Sequence, residues 1–171
     1  MSIKKLNLEN LIQQYLLEEE ISIEKLKSPD FDFGFIVSFP PGPKSQKISV
    51  FKVNKRNCLY ITIRSQLSDK NIKILNSFKD NKKFQIFNSI RKFFLIKEVY
   101  FRIDIQNSIF EINEQIYPDK DGSISKDTLF KVIKKIFYCF LYANILMDEY
   151  CMGKEISPTK LGPEFDLSLY S

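Results

Sequence analysis

FDFGFIVSF at residues 31–39 is the stretch of this sequence that decides the fold. Every second residue is Phe or Val, and this period of two is typical of a β-strand with one face against a core. The run PPGP at residues 40–43 follows, and three prolines cannot continue a sheet ladder, so the strand ends there. The residues predicted to face the core are Phe31, Phe33, Phe35, Val37 and Phe39.

Four other segments have the same alternation and are predicted to be strands. Two of them, residues 47–53 and 58–64, are joined by a turn at 54–57. The other two, residues 99–105 and 109–116, follow a helical region. Turns this short connect antiparallel strands, so the five strands are expected to form an antiparallel sheet.

Helical spacing of apolar residues marks the remaining segments. A first helix begins after Asn7, a second occupies residues 68–78, and a third runs from Asp80 to Lys97. A fourth helix of about 25 residues starts after Ser125, and its second half is apolar nearly all round. A helix of that kind is expected to be covered on more than one side.

The order of these elements predicts an α+β protein, α-βββ-α(α)-ββ-α, with a five-stranded antiparallel sheet packed by helices on one side. At this length one domain is expected, and we place it at residues 1–152. Residues 153–171 are expected to form a C-terminal tail that is flexible or docks as an extended segment.

The composition excludes several kinds of chemistry. Histidine is absent from all 171 residues, which removes histidine-activated nucleophiles and most zinc catalysis. Cys58, Cys139 and Cys151 are scattered and odd in number, so they indicate a reducing cytoplasm and not a disulfide framework. The longest apolar run, Ile136 to Met147, is shorter than the roughly 20 residues of a bilayer span. We expect no catalytic residue, cofactor or resident metal.

Residues 119–125, DKDGSIS, are similar to the middle of a calcium-binding loop. The first position of that pattern would be Tyr117 and the last Thr128, and neither supplies the required carboxylate. The segment therefore favours a solvated turn that leads into a helix N-cap.

The net charge of +5 is concentrated in the middle of the chain, where residues 66–100 carry eight basic and three acidic side chains. A basic surface can follow a phosphate backbone, which gives an alternative role as a nucleic-acid-binding accessory protein. A lysine-rich solvated face is the simpler interpretation. The basic residues concerned are Lys70, Lys73, Lys79, Lys82, Lys83, Arg91 and Lys92.

A sheet with helices on one side leaves its second face open, and apolar residues there indicate a partner surface. Ile36, Phe51 or Val53, and Tyr60 are predicted to lie on that face. Alternatively, the long helix or the tail covers this face of the sheet. The other candidate partner-binding residues are Lys82, Gln85, Ser89 and Lys92 on the outer face of the third helix, and Phe165, Leu167 and Leu169 in the tail.

The order helix, three strands, helix, two strands, helix resembles the type III secretion chaperone-like fold. That fold is used mostly by small proteins that bind other proteins, often as homodimers. The strand 31–41 with its SFP ending, the strand 47–53 and IYPD at 116–119 also resemble an archaeal family of uncharacterised small proteins, over about residues 6–150. The resemblance implies a protein partner, which includes a homodimer, and carries no catalytic motif. The helix at 68–78 and the tail depart from it.

We therefore expect a non-enzymatic protein-protein interaction module, either an adaptor or chaperone-like. The nucleic-acid-binding role of residues 70–97 is the alternative.

Overall fold

An antiparallel sheet organises residues 7–154, the part of the chain that the computed structural model describes. The elements in chain order are α1 (Leu8–Glu18), β1 (Ile23–Lys25), β2 (Phe31–Phe39), β3 (Gln46–Val53), β4 (Leu59–Gln66), α2 (Asp69–Ser77), α3 (Asp80–Ile96), β5 (Tyr100–Asp104), β6 (Ile109–Ile116) and α4 (Lys126–Cys151). In space the strands follow the order β1-β2-β3-β4-β6-β5. The predicted α+β class and antiparallel pairing are confirmed.

The prediction of five strands is wrong, because β1 adds a sixth at the edge of the sheet. Its three residues pair with Val37, Ile36 and Phe35 of β2. The backbone N–H of Leu26 then donates to the Gly34 carbonyl over 2.9 Å. A strand of three residues is too short to show a period of two, so only its pairing with β2 defines it.

The helices pack on one face of the sheet. Phe39 of β2 meets Phe137 of α4 edge-on at 5.3 Å between ring centroids. The ring centroid of Phe110 in β6 lies 6.3 Å from that of Phe94 in α3 and 5.9 Å from that of Phe140 in α4. The face that these helices cover carries the buried residues of the central strands, among them Phe35, Val50, Ile61, Ile63 and Ile112.

Side-chain caps start three of the helices at the predicted residues. Asn7, Ser68 and Ser125 each accept a hydrogen bond from a backbone N–H in the first turn of α1, α2 and α4. At the other end of α1, Lys126 pairs with Glu18 at 3.0 Å and with Glu19 at 2.6 Å. This lysine offsets the unfavourable position of acids at a helix C-terminus.

The second half of α4 agrees with its prediction except on one side. Tyr138 and Ile145 are 57% and 54% exposed, and Leu141 is also exposed. Strands β4 and β6 and the helices α2 and α3 all contact α4, which gives the expected cover on more than one side. No element within residues 7–154 covers the side that carries the three exposed residues. No helix in residues 7–154 is long and apolar enough to cross a membrane.

Candidate functional site

The sheet face that points away from the helices, the open face, carries stacked aromatic rings. Phe51 of β3 lies opposite Tyr60 of β4 in the strand register, and their ring centroids are 5.5 Å apart with nearly parallel planes. Phe31 stacks on the other side of Phe51 at 4.6 Å. Ile36 lies on the same face between Glu24 and Ser49. The predicted open-face positions of Ile36, Phe51 and Tyr60 are thus correct, and all three are half-buried.

Phe31 reaches this face because β2 contains an irregularity. Phe31 pairs with Val53, but Phe33 pairs with Lys52, so β2 advances two residues where β3 advances one. Such a bulge moves every residue before it to the opposite face of the sheet. The prediction that Phe31 shares the core stripe with Phe33 is therefore wrong.

The aromatic surface continues across β6 and β5. Tyr60 pairs with Gln115, whose side-chain oxygen accepts a hydrogen bond of 3.0 Å from the Tyr117 hydroxyl. Tyr100 of β5 and Tyr117 line a cavity of about 610 Å³ at this edge, and they are 60% and 67% exposed. We call Phe31, Phe51, Tyr60, Tyr100 and Tyr117 the aromatic strip.

Tyr60 keeps its phenol proton over a wide pH range. Hydrogen bonding with Cys58 and then burial raise the pKa of the Tyr60 phenol. Its hydroxyl is neutral at physiological pH and can both donate and accept a hydrogen bond.

The basic face of α3 is less uniform than its sequence predicts. Lys82, Gln85 and Lys92 are exposed, as expected. Ser89 is only 6% exposed, and its hydroxyl donates to the Gln85 carbonyl over 3.0 Å, so its predicted place on the outer face is wrong. A serine can donate its hydroxyl hydrogen to a carbonyl of its own helix and then face the core. The helical period therefore does not distinguish a buried serine from one on the outer face.

Several cations of the basic set have local partners. The Lys82 ammonium lies 4.0 Å from the centre of the Phe78 ring. Lys83 pairs with Asp80 at 3.7 Å, and Arg91 donates to Asn88 over 3.1 Å. Of these three contacts, the Lys83–Asp80 pair places an opposite charge beside a cation, and none of the three favours the nucleic-acid-binding role.

The segment 119–125 forms a turn. The backbone N–H of Gly122 donates to the Asp119 carbonyl over 2.8 Å, and Asp121 accepts from both the N–H and the hydroxyl of Ser123. Its Asp121 carboxylate therefore stabilises the turn itself. Within residues 7–154, no group of three or more metal-ligating side chains comes together.

A groove between α3 and α4 is a feature that the sequence did not reveal. It encloses about 660 Å³ on the outer side of the helical layer. Its lining combines aromatic side chains with lysines and comprises Phe93, Lys97, Lys131, Lys134, Lys135, Tyr138, Cys139 and Tyr142. The sequence signal for this groove is the set of apolar residues around the second half of α4. The same residues also predict cover by neighbouring elements, so the pattern alone does not indicate a groove.

The predicted tail residues Phe165, Leu167 and Leu169 lie outside the described residues. The division of the chain at residue 152 and the binding roles of the surfaces above stay predictions.

Fold and surface together define the class: an α+β protein with an antiparallel sheet, helices on one face and aromatic side chains on the other. The chain belongs to the family described as "Uncharacterized conserved protein (DUF2299)", whose model matches residues 8–147. No curated protein matches it.

A solved structure is also similar to this chain, "Crystal structure of an uncharacterized protein from Methanothermobacter thermautotrophicus". The TM-score is 0.76 at 18% identity, over 84% of this chain and 99% of that one. The likeness shows a shared fold. A structural neighbour from an archaeon agrees with the predicted archaeal resemblance, whereas the type III secretion chaperone-like fold stays a prediction.

Proposed function

We propose that this protein is a non-enzymatic protein-binding module that recognises its partner with the open face of the sheet. The observation that carries the proposal is the aromatic strip, in which the Phe51 ring stacks on both Phe31 and Tyr60. Rings on a sheet face that no described helix covers lose water when a partner packs on them, and aromatic side chains supply much of the energy at protein interfaces.

The surroundings of the strip fit an interface. Thr62 and Asn113 pair beside it and are uncharged, while Arg64, Glu111 and Arg102 form a charged row one step further along the strands. An apolar centre bordered by polar and then charged side chains is the usual anatomy of a protein-protein contact.

The thiols of the chain support a role without covalent catalysis. Cys58, Cys139 and Cys151 are buried. Burial raises the pKa of Cys139 to about 11 and also raises that of Cys151. A protonated, buried thiol is a poor nucleophile.

More specifically, we propose an adaptor or chaperone-like role, in which the partner is another protein or a second copy of this chain. Its support is the resemblance of the element order to the type III secretion chaperone-like fold. The additional strand β1 departs from that order.

Capture from a native extract tests the proposal, with RNA and DNA digested in a parallel sample. The baits are the full chain, a Phe51→Ser/Tyr60→Ser variant and a Phe84→Ser variant. Phe84 is the matched control, because it is an exposed aromatic residue on α3. We expect a protein that is retained after nuclease digestion and that, once purified, binds the double variant at least tenfold more weakly than the other two.

Equal binding to the double variant, or loss of binding only in Phe84→Ser, would contradict a role for the open face. Loss of all bound material on nuclease digestion would instead point to nucleic acid.

A further inference from the structure

We infer that two copies of this chain associate through the outer side of α4, with their α4 helices antiparallel. The contact lies on the helical side of the sheet, so the inference goes beyond the open-face proposal and does not depend on it. Three features of α4 support it: the spacing of its exposed residues, their apolar centre and the order of their charges.

Six exposed residues of α4 form a row along one side of the helix. They are separated by three, four, three, four and three positions, which is the spacing of the contact positions between two supercoiled helices. The spacing is the same from either end, so an antiparallel second copy presents a matching series of positions. We call these residues the α4 row: Lys131, Lys134, Tyr138, Leu141, Ile145 and Asp148.

The centre of the α4 row is apolar. Any helix with one uncovered side has exposed residues at this spacing, but on a surface helix that side is normally polar. Here Tyr138, Leu141 and Ile145 follow one another along it, and all three are exposed. They form an apolar stretch that a second helix can remove from water.

The two ends of the α4 row carry opposite charges. Lys131 and Lys134 precede the apolar centre, and Asp148 follows it. A parallel pair of α4 helices would bring like charges together, whereas an antiparallel pair brings each basic end to an acidic end. The row is therefore complementary in charge to a second copy of itself in the antiparallel direction.

One register matches all six positions of the row. It places the two-fold axis midway between Tyr138 and Leu141, so that both members of each pair are equally far from the axis. The pairs are Tyr138 with Leu141 of the partner subunit, Lys134 with Ile145 of the partner subunit, and Lys131 with Asp148 of the partner subunit. The outer pairs are then ionic, and the stem of Lys134 covers an apolar side chain while its ammonium stays in water.

The charged groups at the ends of the row can form these contacts. Lys131 pairs with Asp127 at 2.8 Å, but the two side chains are 76% and 73% exposed, and a pair this exposed contributes little to stability. Asp148 accepts a hydrogen bond from Asn71 with Oδ1, and its second carboxylate oxygen can accept from a lysine of the second copy.

This mode of association leaves the open face of each copy accessible. Helix α4 packs on the covered face of the sheet, so its outer side and the open face point in opposite directions. The two aromatic strips of the dimer therefore face away from each other, and one dimer can hold two partner molecules. This last consequence, unlike the dimer itself, rests on the open-face proposal.

Sedimentation equilibrium of the full chain over about 1–300 µM tests the inference. We expect a monomer–dimer equilibrium with a Kd on the order of 10 µM, because contact along one helix gives a small interface of the transient class. Leu141→Ser should raise the Kd at least about tenfold. Leu17→Ser, which changes an exposed leucine of α1, and Phe51→Ser/Tyr60→Ser on the open face should leave it unchanged.

Two charge reversals test the antiparallel register. Lys131→Glu and Asp148→Lys each place like charges at both ends of the homodimer, so each variant alone should associate at least about tenfold more weakly than the wild type. In an equal mixture of the two variants, the heterodimer has opposite charges at both ends, and its Kd should lie within about threefold of the wild-type value. Recovery requires both variants to be folded, so it separates a lost contact from a lost structure.

A chain that stays monomeric throughout this concentration range would overturn the inference. Self-association that survives Leu141→Ser, or that is lost in Phe51→Ser/Tyr60→Ser, would place the contact elsewhere, including the open face, and would also overturn it. A mixture of the charge variants that associates no better than either variant alone would contradict the antiparallel pairing.

Discussion

Cys139 is a thiol that its surroundings hold in the neutral form. It is 3% exposed in the layer between α4 and α3. Burial raises its pKa to about 11, and the nearby cations Lys135 and Lys97 offset only part of that effect. The residue therefore acts as a small apolar side chain at physiological pH.

Cys139 should make the stability of the fold depend on pH in the alkaline range. The unfolded thiol ionises near pH 9 and the folded thiol near pH 11, so its contribution is fully present below pH 9 and is lost as the pH rises to 11. Between these values the wild type should lose about 2–3 kcal/mol more than Cys139→Ala, since each pKa unit corresponds to about 1.4 kcal/mol. Urea unfolding of both proteins at several pH values measures the difference. Parallel pH dependence in the two would contradict it.

Among the elements, α2 is held to the end of α4 by a small number of polar contacts. Asn71, a buried residue, donates from its side-chain amide to Asp148 over 2.7 Å. The Cys151 thiol lies 3.9 Å from the Asn71 carbonyl oxygen. Leu75 supplies the buried apolar contact of the same helix.

Asn71→Ala should therefore loosen α2 more than the rest of the molecule. Loss of the bond to a charged group costs about 1.5–3 kcal/mol, which corresponds to amide exchange roughly 10- to 150-fold faster in residues 72–77. Asn76→Ala removes an exposed amide on the same helix and is the control. Hydrogen–deuterium exchange followed by mass spectrometry measures the amide exchange rates of both variants. Faster exchange spread evenly over β2, β4 and β6 would show that α2 does not open on its own.

At the scale of the whole molecule, one apolar cluster links all four helices to the sheet. It includes Ile12 of α1, Leu75 of α2, Phe94 of α3 and Ile133 of α4. Among residues 7–154, the open face contributes no fully buried side chain of comparable size, so we expect the stability of the sheet to depend mainly on its covered face.

Two neighbouring residues of β4 test this asymmetry. Ile61 points into the core and is fully buried, while Thr62 points to the open face and is half-buried. Ile61→Ala should lower the free energy of unfolding by about 2–5 kcal/mol. Thr62→Ala should lower it by less than about 1 kcal/mol. Urea denaturation followed by circular dichroism and tyrosine fluorescence measures both. Equal losses would mean that the two faces are buried alike.

The sequence determined the elements whose signals are local. The alternation of Leu59, Ile61 and Ile63 gave strand β4 and its buried face, and Ser68 and Ser125 gave the starts of two helices. The open-face positions of Ile36, Phe51 and Tyr60 followed from the same alternation. Each of these features depends on residues a few positions apart, because side-chain direction and capping are set by the local backbone.

Tertiary structure alone decided the features that need a partner distant in the chain. Strand β1 exists through its bonds to β2, and the bulge before Phe33 appears only in the pairing of β2 with β3. Burial of Ser89 and the groove between α3 and α4 depend on how helices pack. A periodic pattern states which residues share a face, but the neighbour that covers the face is fixed by contacts across the whole chain.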